Sequence, residues 1–248
     1  MNQSLDYDAM FAGVIGQEYQ MLKLICPQAA EMSRLVGEAV ADYATDKAEA
    51  LQVLELGGGT GITSLAILAA EPRLDLLSVD NEPKMQNQAK HNLGAWVAEG
   101  RLRFSGDDAL SALRGLASNS IDLIATAYTL HNFRADYRQQ VIQEMFRVLK
   151  PGGQFINGDR YALDDISAHT RNTQAELAGY FKVLTEIERL DVLEHWVIHL
   201  FNDESENHIM REGIAIAQMT AAGFTSIQLS ERQDVNLLLT ANKPLAHF

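Results

Sequence analysis

The feature that most constrains the fold is an alternation of short apolar runs with longer segments in the middle of the 248-residue chain. The runs have the length and composition of β-strands, and the segments between them are long enough for helices. Five strands are predicted, over residues 52–56, 74–79, 102–105, 121–127 and 154–157. This alternation predicts an α/β fold, with a parallel sheet covered by helices on both faces.

The clearest helical pattern lies over residues 136–149, where apolar side chains recur three and four residues apart. Pro151 follows the end of this predicted helix.

The end of the chain predicts how the sheet closes. Residues 226–230 and 235–241 have strand composition and are joined by a short polar link. A parallel crossover needs about a dozen residues, so this pair is a hairpin and the sheet includes an antiparallel last strand.

The chain is long enough to form one core, or a core with a lid. The predicted organisation is a helical lid segment over residues 1–50, a ligand-binding core over 51–160, a helical insertion over 161–223 and a closing β-hairpin over 224–248. The helical segments flank the carboxyl edge of the sheet. There they could cover a small-molecule pocket, or they could only thicken the core.

Composition disfavours several classes of partner. The formal net charge of -13 argues against nucleic acid, because affinity for phosphate backbones depends on Lys and Arg. No apolar run approaches the ~20 residues that span a bilayer. The N-terminus lacks a signal-peptide pattern, and the lone Cys26 cannot form an internal disulfide. These features predict a cytoplasmic protein with no nucleic-acid or membrane partner.

The first predicted strand runs into a cluster of glycines in the stretch VLELGGGTG. Gly57, Gly59 and Gly61 let the backbone turn sharply and approach a ligand, and the helix after them presents free amides to anionic groups. In an open parallel sheet, ligands bind beyond the carboxyl ends of the strands, and this turn forms the floor. The spacing G-x-G-x-G differs from the dinucleotide fingerprint, because Ile62 occupies its last glycine position.

Acidic residues follow the second and third predicted strands. Asp80 stands where a bound nucleoside would present two ribose hydroxyls, which a carboxylate can accept. In the stretch FSGDD, Asp107 could accept a hydrogen bond from an adenine amino group. Either aspartate could instead cap the next helix, a role that aspartate often has and that we favour for Asp108. The pattern predicts a nucleoside lying across the ends of the strands.

The segments LELGGGTG, SVDNEPKM, SGDDAL, IDLIATAYTLHNF and RVLKPGGQF occur in this order. Together they resemble the class I S-adenosylmethionine-dependent methyltransferases, over about residues 50–160. The resemblance implies a Rossmann-like, seven-stranded, mostly parallel sheet with an antiparallel last strand. It also implies S-adenosylmethionine as the cofactor and S-adenosylhomocysteine as its product.

The resemblance also implies roles for residues. Glu55 and the glycine loop would hold the methionine end, Asp80 the ribose, and Asp107 the adenine amine. Asn81 and Met85 would flank the nucleoside. The full set of predicted cofactor-binding residues is Glu55, Gly57, Gly59, Gly61, Asp80, Asn81, Met85, Asp107, Asp108 and Ala127.

Three residues after the fourth and fifth strands are the catalytic candidates. Transfer from a sulfonium depends mainly on holding the acceptor in line, with a base where the acceptor must lose a proton. His131 is either that base or a capping and packing residue. Tyr128 could shape the pocket by touching the cofactor. Arg160 would suit an acidic substrate, or would form a surface ion pair.

A histidine group in the insertion invites a metal interpretation. His195 and His199 lie one helical turn apart, and His208 follows among carboxylates. Paired histidines at this spacing can hold zinc, but the order HExxH is absent. The prediction therefore includes no metal, and Trp196 is expected to line the apolar face of the lid.

The predicted function is methyl transfer to an oxygen, nitrogen or carbon atom of a small molecule, and an apolar lid could pair the chain into a homodimer. Two other functions stay open. The chain has some likeness to the carboxy-S-adenosylmethionine synthases, which would need an arginine near the sulfonium; Arg160, Arg171 and Arg189 are available. A protein that binds the cofactor without turnover is the remaining alternative.

Overall fold

The computed structural model describes residues 23–24 and 26–245. Within that part of the chain, seven strands form one sheet in the order β3-β2-β1-β4-β5-β7-β6. The strands are β1 (Leu51–Leu56), β2 (Leu74–Val79), β3 (Leu102–Ser105), β4 (Ile121–Ala127), β5 (Leu149–Arg160), β6 (Thr225–Gln233) and β7 (Asn236–Asn242). Strands β1 to β5 pair in parallel, whereas β7 runs antiparallel to both β5 and β6.

Helices cover both faces of this sheet. They are α1 (Pro27–Ala44), α2 (Ile62–Ala70), α3 (Pro83–Asn92), α4 (Gly94–Ala98), α5 (Ala109–Gly115), α6 (Ala135–Val148), α7 (Ile166–Glu186), α8 (Leu190–Asp203) and α9 (Glu212–Ala222). A short 3-10 turn, Leu130–Asn132, follows β4. No helix among the described residues is both long and apolar enough to cross a membrane.

The predicted Rossmann-like fold and its antiparallel last strand are confirmed. The predicted strand over residues 154–157 is the centre of the longer β5. The helix predicted over residues 136–149 is α6, and it ends at Val148, shortly before Pro151. Pro151 lacks the amide that a helix needs, so the chain enters a strand instead.

Helix α1 belongs to the core for most of its length. Met32, Val36 and Val40 recur every fourth residue and are fully buried, so one stripe of the helix faces the sheet. Contact with α2 is close, because a Cβ atom on Gly37 would lie 2.7 Å from the carbonyl oxygen of Ala66. In the described part of the predicted 1–50 lid segment, α1 therefore packs against the sheet; residues 1–22 lie outside the described residues.

The insertion divides into two parts. Helices α7 and α8, which we call the roof helices, share a small apolar cluster of their own, formed by Tyr180, Leu184, Leu193 and Leu200. Helix α9 instead joins the apolar cluster of the sheet and α6. The roof helices therefore pack mainly on each other, whereas α9 belongs to the layer of helices that packs on the sheet.

Candidate functional site

A cavity of about 680 Å³ opens at the carboxyl ends of the parallel strands. Its volume is in the range of small-molecule sites, and its place is where an open α/β sheet binds ligands. Most of the predicted site residues line it: Gly57, Gly59, Asp80, Asn81, Met85, Asp107, Asp108, Tyr128, His131 and Arg160. The roof helices close its upper side with side chains that include Tyr180 and Trp196.

Three predicted cofactor-binding residues lie outside the cavity lining. Gly61 has a φ angle of 94° and begins α2, where an added Cβ would lie 2.8 Å from Leu93. Ala127 packs against the apolar cluster that includes α1. Glu55 is fully buried behind the glycine loop. Of the three, Glu55 supports the loop from beneath, because a Cβ atom on Gly58 would lie 3.1 Å from its Oε2.

The glycine loop is held by the neighbouring strand, because the amide of Gly57 donates to the carbonyl of Val79 at 2.8 Å. An added Cβ at Gly57 would lie 2.1 Å from Oγ1 of Thr129, so only glycine fits there. Gly59 has a φ angle of 53°, and a Cβ there would meet nothing within 4 Å, because this residue borders the cavity. The loop is thus packed on one side and open to a ligand on the other.

Asp80 fastens the loop to the start of α3. Its Oδ2 accepts the amide of Gly59 at 2.7 Å, and its Oδ1 accepts the amide of Glu82 at 2.8 Å. A carboxylate has about four acceptor positions, so both oxygens can still accept ribose hydroxyls. The arrangement fits a nucleoside cofactor.

Asp108 is the N-cap of α5. Its Oδ1 accepts the amides of Leu110 and Ser111, each at 3.0 Å, and the hydroxyl of Tyr137 at 2.8 Å. Hydrogen bonds from Ser111, followed by that from Tyr137, lower the pKa of Asp108 to about 2. The capping role considered from the sequence is the one seen here, and Asp108 borders the cavity as well.

Glu55 carries the least satisfied carboxyl group near the loop. Its Oε2 accepts the hydroxyl of Ser64 at 2.5 Å, while its Oε1 has no hydrogen-bond partner among the described residues. Burial raises its pKa to about 7, although hydrogen bonds from Ser64 and Ser78 act in the opposite direction. Glu55 therefore exchanges a proton near neutral pH.

His131 and Asp159 form a buried pair at the cavity wall. Nδ1 of His131 lies 2.5 Å from Oδ1 of Asp159, whose other oxygen accepts the amide of Leu130 at 3.0 Å. Complete burial would raise the pKa of Asp159, but the attraction of His131 and hydrogen bonds lower it below its usual value. With Nδ1 engaged, the other ring nitrogen of His131 lies on the roof side, 3.7 Å from Oδ2 of Asp203.

Tyr128 packs beside this pair. Its backbone has a φ angle of 49°, which is uncommon for a residue with a side chain and is often found at functional sites. Its ring meets that of His131 edge-on, with the centroids 5.8 Å apart. Its hydroxyl donates to Oδ1 of Asn236 at 2.5 Å. Tyr128 is thus a fixed wall of the cavity.

Arg160 is paired inside the protein rather than at its surface. Its guanidinium contacts the two carboxylate oxygens of Glu176 at 2.6 and 3.0 Å, and Glu204 lies 3.6 Å away. Burial alone would lower the pKa of Arg160, but the attraction of Glu176 outweighs it and raises the pKa. Its charge is therefore neutralised by roof carboxylates.

The three histidines grouped from the sequence, His195, His199 and His208, do not come together in the structure. His199 pairs with Asp203, whose Oδ2 lies 3.6 Å from His199 Nε2 and 3.7 Å from His131 Nε2. His195 lines the cavity without joining this group, and His208 is bonded to Ser205. Sequence reasoning missed Asp203; its one signal is its position four residues after His199.

Comparisons with known proteins agree with this architecture. Residues 53–153 match the family described as a methyltransferase domain. An O-methyltransferase family protein of known structure from Burkholderia thailandensis has a TM-score of 0.65 at 19% identity; the match covers 98% of this chain and 62% of that one. Residues 53–153 therefore match a methyltransferase domain, the whole fold is similar to that of solved methyltransferases, and the cofactor that these matches support is S-adenosylmethionine.

Two kinds of curated relative are similar to this chain. A carboxy-S-adenosyl-L-methionine synthase from Campylobacter lari is 22% identical over 223 residues, which cover 88% of this chain and 90% of that protein. A demethylmenaquinone methyltransferase from Leptospira interrogans is 34% identical over 109 residues, which cover 44% of this chain and 43% of that protein. The first likeness extends along nearly the whole chain, and the second is restricted to less than half of it.

Proposed function

We propose that the protein transfers a methyl group to an oxygen, nitrogen or carbon atom of a small molecule bound between the strand ends and the roof helices. The observation that carries this proposal is the His131–Asp159 pair. One ring nitrogen of His131 is held 2.5 Å from a buried carboxylate, and the residue lines the same cavity as the glycine loop and Asp80. A polar acceptor and the cofactor would therefore meet beside this histidine.

The chain's part in the reaction is mainly positioning. The cofactor supplies a methyl group on a positively charged sulfur. Gly59 leaves room for its amino-acid end, Asp80 accepts its ribose hydroxyls, and Asn81, Met85 and Asp107 surround the base. The roof helices exclude water from the space above. Holding two reactants in line in this way can supply several kcal/mol of the barrier reduction.

His131 would prepare the acceptor. With Nδ1 bound to Asp159, Nε2 faces the groups of the roof and can take a hydrogen bond from an acceptor. The buried carboxylate stabilises positive charge on the ring and holds the ring in place. Because Asp203 lines this space and Arg160 is already paired with Glu176, the acceptor we expect is neutral or cationic rather than a free acid.

A carboxy-S-adenosylmethionine synthase activity is the second candidate, and the full-length likeness to such an enzyme favours it. That activity would need a free arginine to hold a carboxylate. Arg160 is the one candidate of three that lines the cavity, and Glu176 already engages it. Arg189 pairs with Asp191 at the surface, and Arg171 is exposed on α7. Because none of these three arginines both lines the cavity and lacks a carboxylate partner, their positions favour methyl transfer over the second candidate.

The test uses S-adenosylmethionine with a trideuterated methyl group. The protein is incubated with this compound and a fractionated extract of small metabolites, and both the extract and the cofactor are examined by mass spectrometry. We expect a labelled metabolite, and a strong loss of labelling with His131→Ala. A labelled cofactor bearing an added carboxyl group would support the second candidate. Tight cofactor binding with no product of either kind would support the non-enzymatic alternative and refute our proposal.

The partners and the location that we propose for the protein are those expected from its sequence. The net charge of -13 argues against nucleic acid, and we place the reaction in the cytoplasm. The roof helices expose large apolar side chains, including Phe181, Leu190, Ile198 and Phe201. Apolar groups of this size at a surface are typical of contacts between subunits, so we also propose a homodimer.

A further inference from the structure

We propose that His131, His199 and Asp203 form a binding site for one divalent transition-metal ion on the roof side of the cavity. The three residues come from the turn after β4 and from α8, and all three line the cavity. The spacing of His199 and Asp203 places these two on one face of α8, but nothing in the sequence places His131 beside them. The site itself does not depend on methyl transfer; only its role in activating an acceptor rests on the proposed function.

The distances suit one shared ion. One ligand atom from each residue lies within 4.8 Å of the others. Oδ2 of Asp203 is 3.7 Å from Nε2 of His131 and 3.6 Å from Nε2 of His199. Metal bonds of about 2.0–2.2 Å to nitrogen and oxygen place neighbouring ligand atoms roughly 3–3.5 Å apart. The distances from Asp203 to the two histidines therefore need only a small contraction for a shared ion.

A second observation favours a cation at this site. The side chain of Asp203 is 6% exposed, and its Oδ1 has no hydrogen-bond partner among the described residues. A buried carboxylate oxygen without a partner costs free energy, because it has lost water and gained nothing in return. A metal ion that binds both oxygens of Asp203 would remove that cost.

The surroundings also match those of metal-binding histidines. Such a histidine normally gives its other ring nitrogen to a carboxylate, which fixes the tautomer and the ring orientation. His131 has this arrangement, because its Nδ1 is engaged by Asp159. The nearby positive charge of Arg160 is balanced by Glu176 and Glu204, so it does not oppose a cation.

The ligand set indicates the kind of metal. Two imidazoles and one carboxylate suit Zn²⁺, Fe²⁺, Co²⁺ or Ni²⁺, whereas Mg²⁺ and Ca²⁺ prefer sites built from oxygen alone. Three protein ligands leave at least one coordination position for water or a substrate. Because the three residues line the cavity, that position would face the acceptor.

The site narrows the class of acceptor. A metal ion binds hydroxyl, enol or carbonyl oxygen atoms and lowers the pKa of a bound hydroxyl group. We therefore infer an acceptor that presents such an oxygen near the carbon, nitrogen or oxygen atom to be methylated. In the metal-bound protein, His131 acts as a ligand, and the ion takes over the activation that His131 alone would otherwise provide.

The test measures metal binding directly, without an acceptor. Full-length protein, freed of metal by dialysis against a chelator, is titrated with Co²⁺ and followed by visible absorption. Zn²⁺ content after equilibration is measured by mass spectrometry. We expect one equivalent of metal, with affinity at least tenfold lower in His199→Ala and Asp203→Asn. Asp159→Asn, which removes the charge behind His131, should weaken binding by about 10- to 100-fold.

His195→Ala is the matched control, since His195 lies on the same helix and at the same cavity but outside the cluster. Its metal affinity should equal that of the wild type. Circular dichroism and S-adenosylmethionine affinity show that each variant is folded. If the wild type binds no stoichiometric metal, or if His199→Ala and Asp203→Asn bind it as well as His195→Ala, the inference is wrong.

These outcomes separate the two proposals. Stoichiometric metal with no methylated product would leave the site standing and refute the proposed function. A methylated product formed at an unchanged rate by protein that binds no metal would refute the site and leave the proposed function standing.

Discussion

Replacing Glu55 by glutamine should change how the stability of the protein depends on pH. Glu55 lies at the carboxyl end of β1, fully buried behind the glycine loop, and one of its carboxyl oxygens has no partner among the described residues. Burial disfavours the charged form of a carboxyl group. Glutamine has almost the same shape and keeps an oxygen for the hydroxyl of Ser64, but it never acquires a charge.

The magnitude follows from the pKa. Burial raises the pKa of Glu55 from 4.5 to about 7 in the folded protein. A shift of one unit corresponds to 1.36 kcal/mol, so ionising Glu55 in the folded state costs about 3 kcal/mol more than in the unfolded chain. The side chain is fully buried, so solvent screening does not reduce this cost appreciably.

The direction is set by proton binding. Between pH 4.5 and about 7 the folded protein holds the proton on Glu55 more tightly than the unfolded chain does. The contribution to stability is therefore complete below pH 4.5 and is lost as the pH rises through about 7. Relative to wild type, Glu55→Gln should gain about 3 kcal/mol in unfolding free energy between pH 4.5 and pH 8.

The assay is urea denaturation of wild type and Glu55→Gln without cofactor, from pH 4.5 to 8.5. Glu206→Gln serves as the control, because Glu206 is exposed in the turn between α8 and α9. The difference between Glu55→Gln and wild type should increase with pH, whereas that for Glu206→Gln should stay nearly constant. Parallel profiles for Glu55→Gln and wild type would refute the argument that this carboxyl group is buried and unsatisfied.

Three further predictions concern the cofactor side of the cavity. Gly59→Ala should fold at a cost of about 1 kcal/mol in unfolding free energy, but its affinity for S-adenosylmethionine, measured by calorimetry, should fall. Gly57→Ala should unfold at a much lower urea concentration, because its Cβ meets Thr129. Equal effects of the two substitutions would contradict the loop geometry. Asp80→Asn should weaken cofactor binding about tenfold, because a charge-assisted hydrogen bond becomes a neutral one; unchanged affinity would remove the ribose assignment. Asp108→Ala should lower the unfolding free energy by about 1 kcal/mol, because the helix cap is lost. This difference from wild type should vanish near pH 2, where Asp108 becomes protonated. A change in cofactor affinity larger than the change in stability would show that Asp108 also contacts the cofactor.

The sequence by itself determined the sheet and the position of the glycine loop. The strands β2, β3 and β4 have the bounds predicted from their composition, because a buried strand is rich in apolar residues and this enrichment is visible locally. The short link between β6 and β7 determined an antiparallel pair for the same kind of reason, since loop length limits geometry. Glycines directly after β1 mark the loop, because larger side chains do not fit a left-handed turn packed against a neighbour.

The acidic capping residue was also readable from the chain. Asp108 begins a helix, and the preference of aspartate for that position comes from a local hydrogen bond to the next turn. Asp80 was placed at the cavity by its position at the end of β2, since parallel strands bring their carboxyl ends to one edge. Such assignments need only the neighbouring residues and the direction of the strand.

The partners of the functional side chains were decided by the tertiary structure alone. Arg160 meets Glu176, and His131 meets both Asp159 and Asp203, across helix and strand elements that no spacing rule connects. Whether an arginine binds a substrate or neutralises a carboxylate depends on what the fold places within about 4 Å of it. Tertiary packing likewise assigned α1 to the core and left α7 and α8 as the roof, because burial depends on which surfaces meet in space.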